Sequence, residues 1–289
     1  MNHAKHSSQG GFFLIALTAV LATIAFIFIL GYSSAYSKRQ SQSLHQNQTA
    51  YLLDVKTRLE NAYATDRLNI DADLTYAAYR TPAPWYEMAG INPSAATNRW
   101  SLEIAVSDRI SRDGIMYTVV ALWLPTDTDA TNPPIFNTAD GTFQSCTTAP
   151  CPERAYTTLS GYGLQVAAQN DTKKTLNDVA FKAQSYFRAR MLTDPTRNIS
   201  INYFMPPFVA CSGTTDDIPC IPNYTAIDAT PLPALIGLDS DERKNAWGLD
   251  IEATNITDSN IISPPYTMSF RTQSPWAGTS YQIFAVQPL

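Results

Sequence analysis

The sequence predicts an α+β protein: a long N-terminal helix, forming a membrane stem, packed on a head with an antiparallel β-sheet and one further helix. Three observations predict it. Residues 12–30 form an uncharged apolar run. Between Tyr32 and Asp66 there is no Gly or Pro, and from Leu52 to Ala62 the apolar residues fall at alternating spacings of three and four. The last third holds three segments of apolar/polar alternation separated by Pro, Gly, Asn and Ser.

The run FFLIALTAVLATIAFIFIL from Phe12 to Leu30 would reach about 28 Å as a helix, enough to span a hydrocarbon core. Lys5 lies before it and Lys38 and Arg39 after it, so charge orients it weakly. A cleaved secretory signal and an unprocessed signal anchor are two readings of such a run; the first usually has a shorter apolar stretch. Beyond Leu30 the stripe Leu52, Val55, Leu59, Ala62 and Tyr63 continues as one face of a helix, with Lys56, Arg58, Glu60 and Arg67 on solvated flanks. The stem is expected to end near Arg80, before Pro82 and Pro84.

After the prolines the pattern changes. Residues 100–106 and 115–124 alternate and are joined by a polar, Gly-containing link, predicting a hairpin. Residues 125–160 are rich in Thr, Asp, Pro and Ala and read as a long surface insertion. A second helix is expected from an N-cap at Asp171 or Thr172 to just before Pro195, with Leu176, Val179, Ala180, Ala183 and Phe187 as its core face. Residues 198–207 read as a short strand. The alternating runs 247–254, 266–272 and 281–286 predict a β-meander.

Composition narrows the chemistry. A chain of 289 residues with 45% apolar and 16% charged residues has the means to fold one or two domains. With a net charge of -5 and no basic cluster, nucleic acid is not an expected partner. The three histidines, His3, His6 and His45, all lie early. The rest of the chain therefore has no imidazole for Ser/His/Asp or Cys/His catalysis, nor for a His-rich zinc site. No Gly-rich phosphate loop and no recognisable pair of catalytic carboxylates is present. The reading is non-enzymatic, with no cofactor.

Four cysteines, Cys146, Cys151, Cys211 and Cys220, lie beyond the membrane segment. Short loops close at least entropic cost, so pairs 146–151 and 211–220 are expected; two other connectivities and a four-thiolate zinc site are the alternatives. Acidic clusters at Asp71-Ala-Asp73, Asp127-Thr-Asp129 and Asp239-Ser-Asp241-Glu242 suit solvated surface or helix caps. None has calcium-loop spacing; Asp239, Asp241 and Glu242 form the best of the weak calcium candidates.

The residues Gly11-Phe12-Phe13-Leu14-Ile15-Ala16-Leu17, after a short polar leader and before Val20, Ile24 and Ala25, resemble the class III leader of type IV pilins and type II secretion pseudopilins. The resemblance implies a leader of residues 1–11 removed by a prepilin peptidase after Gly11, and Phe12 as a methylated N-terminus. It further implies a membrane helix over 12–30, its extracytoplasmic continuation over 31–80, and a head over 81–289 outside the bacterial inner membrane. Most family members carry Glu at the fifth mature position, where this chain has Ala16. A carboxylate in hydrocarbon is costly unless paired, so a subunit with no neighbour above it can dispense with one; Ala16 thus points to a tip or initiating subunit. Asn245-Ala246-Trp247-Gly248-Leu249 is similar to the Trp-Gly turn that this family places before its sheet, and Ser274-Pro275-Trp276-Ala277-Gly278 echoes it. The implied partners are other pilin or pseudopilin subunits, the peptidase and the inner membrane. The implied role is structural: filament assembly, adhesion or secretion.

Overall fold

A computed structural model describes residues 9–94, 99–204, 220–255 and 264–287. The chain divides into two compact units, Met1–Asp54 and Val55–Leu289. The predicted α+β class holds. Helix α1 (Gln9–Asp71, 63 residues) is kinked at Asp66 (φ -108, ψ 18).

In the first unit, Leu17, Val20, Leu21, Ile24 and Phe26 to Leu30 are all exposed. A helix apolar all round suits lipid better than water. The Thr23 hydroxyl within this stretch donates to Ala19 O at 2.8 Å, so it needs no solvent partner. From Leu17 onward the helix is long and apolar enough to cross a membrane.

In the second unit α1 buries Val55, Leu59, Tyr63 and Ile70. It ends at Asp71, short of the expected Arg80. Residues Tyr76–Arg80 form a 3-10 turn instead, and α2 (Pro82–Met88) starts with proline in its first turn, where the missing N–H costs nothing. The prolines thus open a new helix; the stem has already stopped.

The predicted hairpin forms with more parts than expected. Strands β1 (Glu103–Val106), β2 (Ile110–Arg112), β3 (Ile115–Tyr117) and β4 (Val119–Trp123) follow in order. β1 pairs antiparallel with β4, Val106 opposite Val120, while β2 and β3 pair through a two-residue turn. Asp113 (φ 54) and Gly114 (φ 76) supply the two positive φ values that such a tight hairpin turn requires.

The insertion is ordered. A ribbon of β5 (Ile135–Phe136) and β6 (Phe143–Gln144) packs Phe143 between Trp123 (centroids 5.5 Å) and Tyr156 (4.8 Å). Its end, β7 (Tyr156–Ser160), is the third strand of the β1-β4-β7 sheet, a correction to the loop expected there. Only Leu159 of β7 is fully buried, so the segment carries almost no apolar signal.

Helix α3 (Tyr162–Thr193) starts nine residues before the expected cap. Thr172 is not an N-cap: it is buried mid-helix, and its Oγ1 accepts the Ala246 N–H at 3.2 Å. Residues 198–204 are turns, not a strand. Side chains hold them in place of a ladder: Gln287 Oε1 accepts the Tyr203 N–H at 2.9 Å, and Gln287 Nε2 donates to Ile201 O at 2.8 Å.

The meander is present as β8 (Thr225–Ala226), β9 (Glu252–Thr254), β10 (Thr267–Gln273) and β11 (Ser280–Val286), an antiparallel sheet in the order β11-β10-β9-β8. α3 covers one face. Leu176, Val179, Ala183 and Phe187 meet Ile251, Ala253, Met268, Phe270 and Ala285 in the main core, joined by the short helix α4 (Leu232–Ile236). Each large side chain here contributes roughly 1.5–3 kcal/mol on burial.

Candidate functional site

Of the residues singled out in the sequence, Gly11, Phe12 and Ala16 lie within α1. Cys146 and Cys151 form the expected local disulfide, with Cα atoms 5.4 Å apart. Cys220 is also disulfide-bonded, while its expected partner Cys211 lies outside the described residues. The Cys146–Cys151 loop is built on an ion pair whose arginine is buried and whose aspartate is partly exposed. The fully buried Arg154 side chain meets Asp129 through both terminal nitrogens, at 2.7 and 2.8 Å, and its Nε donates to Ser145 O at 3.0 Å. Asn132 ties the loop back: its Oδ1 accepts the N–H groups of Thr147 and Thr148, both at 2.9 Å. The Arg154 guanidinium holds the Asp129 carboxyl down at about 2.

The calcium candidates serve a helix end. Asp239 and Glu242 form a reciprocal capping box on the turn Ser240–Arg243, and Glu242 also accepts from Lys182 Nζ at 2.6 Å. Asp241 accepts from the Ser240 hydroxyl. Among the described residues no three His, Cys, Asp or Glu side chains are grouped to hold a metal ion.

The most elaborate polar arrangement surrounds Asp71, which had read as part of a solvated acidic cluster. Its side chain has no exposure. Oδ2 accepts from Gln165 Nε2 at 2.7 Å and from the Tyr63 hydroxyl; Oδ1 accepts from Thr118 Oγ1 at 2.7 Å. Burial pushes the carboxyl above its usual range, and these three donors with the Arg109 charge pull against that rise. Burial, then the adjacent Asp71, raises the Tyr63 hydroxyl well above its ordinary value, so it remains a proton donor. A carboxylate with three donors and no solvent contact cannot meet a substrate; its work is to join chain segments.

Gln165 and Arg109, joined by Thr75, also satisfy carbonyls at the end of α1. Gln165 Nε2 reaches Arg67 O at 3.3 Å, the Thr75 hydroxyl donates to Asn69 O at 2.5 Å, and Arg109 Nη1 donates to Asp71 O at 2.9 Å. Arg109 also pairs with Asp73 at 2.5 Å, and the Ala277 N–H donates to Asp73 Oδ2 at 2.6 Å. That N–H first, then Arg109, hold the Asp73 carboxyl below its usual range.

Both Trp-containing turns therefore converge on this helix end. In the first, Asn245 uses its whole amide: Oδ1 accepts from Trp247 N (2.9 Å) and Leu249 N (3.0 Å), while Nδ2 donates to Thr272 Oγ1 and Gln273 O. Gly248 sits at φ 82, the conformation that favours glycine there. Arg67, expected on a solvated flank, donates through Nε to Ala246 O at 2.9 Å. In the second turn, Pro275 O accepts the Asp73 N–H at 3.2 Å, and Trp276 Nε1 donates to Gly114 O at 3.0 Å. The two indoles meet edge to face with centroids 5.5 Å apart.

In comparisons with known proteins, no family model matches the chain, and no curated protein or solved structure matches it.

Proposed function

We propose that this chain is a minor pilin or pseudopilin, a structural subunit made to enter a filament of the type IV pilus, conjugative pilus or type II secretion pseudopilus kind. It is inserted once in a bacterial inner membrane with its head in the periplasm. A prepilin peptidase severs it after Gly11 and exposes Phe12. Its partners are other subunits of the same kind, and it performs no catalysis.

The observation that carries the reading is the uncharged, outwardly apolar segment of α1. Leu17 to Leu30 offers only hydrocarbon and small side chains to its surroundings. Such a helix has two environments that suit it: lipid, and a bundle of similar helices packed through small residues such as Ala19, Ala22 and Ala25. Two further features support the reading. The end of α1 is held by the two Trp-containing turns whose sequences resemble the family's pattern, and a local disulfide closes an exposed loop of the kind that a displayed head presents. Ala16 in place of Glu suits an initiating or tip position.

The test is the sheared-filament fraction of the native cell. The reading predicts the protein there at trace level relative to a major subunit, with filament number falling when the chain is deleted. Confinement to the membrane fraction, with filaments unaffected by deletion, would instead identify a signal-anchored binding or sensing domain.

A further inference from the structure

Strand β11 is an edge of its sheet, and no described strand pairs with its outer side. Gln287 N donates to Tyr266 O and Ser274 N donates to Thr279 O. With Thr267 opposite Val286, these two bonds fix the phase of the β10–β11 ladder. Residues 279, 281, 283, 285 and 287 direct their peptide groups to β10. Ser280, Gln282, Phe284 and Val286 direct theirs away from the sheet.

Within its own seven residues β11 lacks the usual guards of an edge. Ser-Tyr-Gln-Ile-Phe-Ala-Val contains no charge and no proline, and spans seven residues without a bulge. The opposite edge, β8, is two residues long. Tyr281, Ile283 and Ala285 face the α3 side and the core. Gln282, Phe284 (47% exposed) and Val286 (39% exposed) line the other face, beside open peptide groups. A neutral, unbroken edge with Phe284 and Val286 beside its open peptide groups has the features that strand addition uses.

We propose that the occupant of this edge is β11 of a second copy, paired antiparallel about a two-fold axis at Ile283. In that register Ser280 lies opposite Val286 of the other copy and Gln282 opposite its Phe284. Every outward peptide group then meets an outward peptide group, because all four residues share one phase. No charge is buried, and the two Phe284 rings become diagonal neighbours across the axis, a distance that aromatic side chains bridge. The contact is isologous, so it closes at two copies and joins two four-stranded sheets into one. This pairing does not depend on cleavage at Gly11.

The experiment uses the full chain in detergent, with its mass measured by light scattering over a range of concentrations. The wild type is expected to dimerise. Phe284→Pro removes one outward N–H, at a position where an edge strand tolerates proline, and is expected to abolish the dimer while keeping the wild-type thermal midpoint. Phe284→Lys, which brings two charges together across the axis, is expected to do the same, and it decides the matter should the proline variant fold poorly. In membranes, mixed Gln282→Cys and Phe284→Cys chains should crosslink to each other far more than either does to itself; among the described residues there is no free thiol to interfere. A wild type that stays monomeric, a dimer that survives Phe284→Lys, or crosslinking that ignores the mixture would each overturn the proposal.

Discussion

The indole N–H of Trp247 donates to Oε1 of Gln165 at 2.7 Å, across 82 residues of sequence. The other end of that amide donates to Asp71. One glutamine therefore carries the position of the C-terminal sheet to the end of the stem helix, and its two contacts share one rotamer.

That shared rotamer makes the contacts interdependent. Trp247→Phe should cost roughly 1–3 kcal/mol by leaving Oε1 without a donor, and Gln165→Leu somewhat more, because it strands both the indole and the carboxylate. The double variant should cost less than the sum by about 1 kcal/mol. Denaturant unfolding of the full chain in detergent, followed by tryptophan fluorescence, measures the cycle; strict additivity would mean that the three groups do not act together.

Asp71 sets a pH dependence of unusual sign. Its folded carboxyl is raised, so the folded state holds its proton more tightly than the unfolded state. The stability it contributes is full at low pH and is lost as pH rises through and above about 4, the ordinary carboxylate value. Asp71→Asn should flatten this part of the stability profile. An unchanged slope in the variant would assign the dependence elsewhere.

The Asp129–Arg154 pair has the opposite sign. Its carboxyl is held at about 2, so its contribution is present above the ordinary range and lost as pH falls towards that value. Asp129→Asn leaves a buried guanidinium short of its counter-charge and should cost about 2–3 kcal/mol. Limited proteolysis should then cut first within residues 125–155; cleavage at wild-type rates would show that the pair does not hold this loop.

Two glycines mark close approaches. A Cβ on Gly161 would collide with the Tyr63 hydroxyl that serves Asp71, and one on Gly141 would lie 2.6 Å from Val119 Cβ with the backbone at φ 73. Alanine at either position should destabilise by roughly 2–4 kcal/mol, through overpacking and, at Gly141, through backbone strain. The same unfolding assay reads both. Gly163, where nothing lies within 4 Å of an added Cβ, is the control and should tolerate alanine.

What the sequence made legible follows from range. The stripe through Val55, Leu59 and Tyr63, the strands over 266–272 and 281–286 and the 146–151 disulfide are local patterns that stand where those patterns put them. The run 247–254, by contrast, is strand only over Glu252–Thr254, its first half being the turn that Asn245 holds. The start of α3 was hidden because Asn170-Asp171-Thr172 has the composition of a cap, while Thr172 is turned inward by a partner 74 residues away. Asp71 was hidden for the same reason. Its side chain is fixed by Thr118 and Gln165, 47 and 94 residues on, and no local pattern marks an aspartate as buried. The two Trp-containing turns stood out in the sequence as similar motifs, but nothing local marked that they pack together or that Arg67 and Asp73 bind them.

The most direct test of the account is the mass of the N-terminal peptide from chains purified with native membranes. A mature chain beginning at Phe12, with or without one added methyl group, is the expected result. A chain beginning at Met1, or one that has lost its first thirty-odd residues, would contradict it.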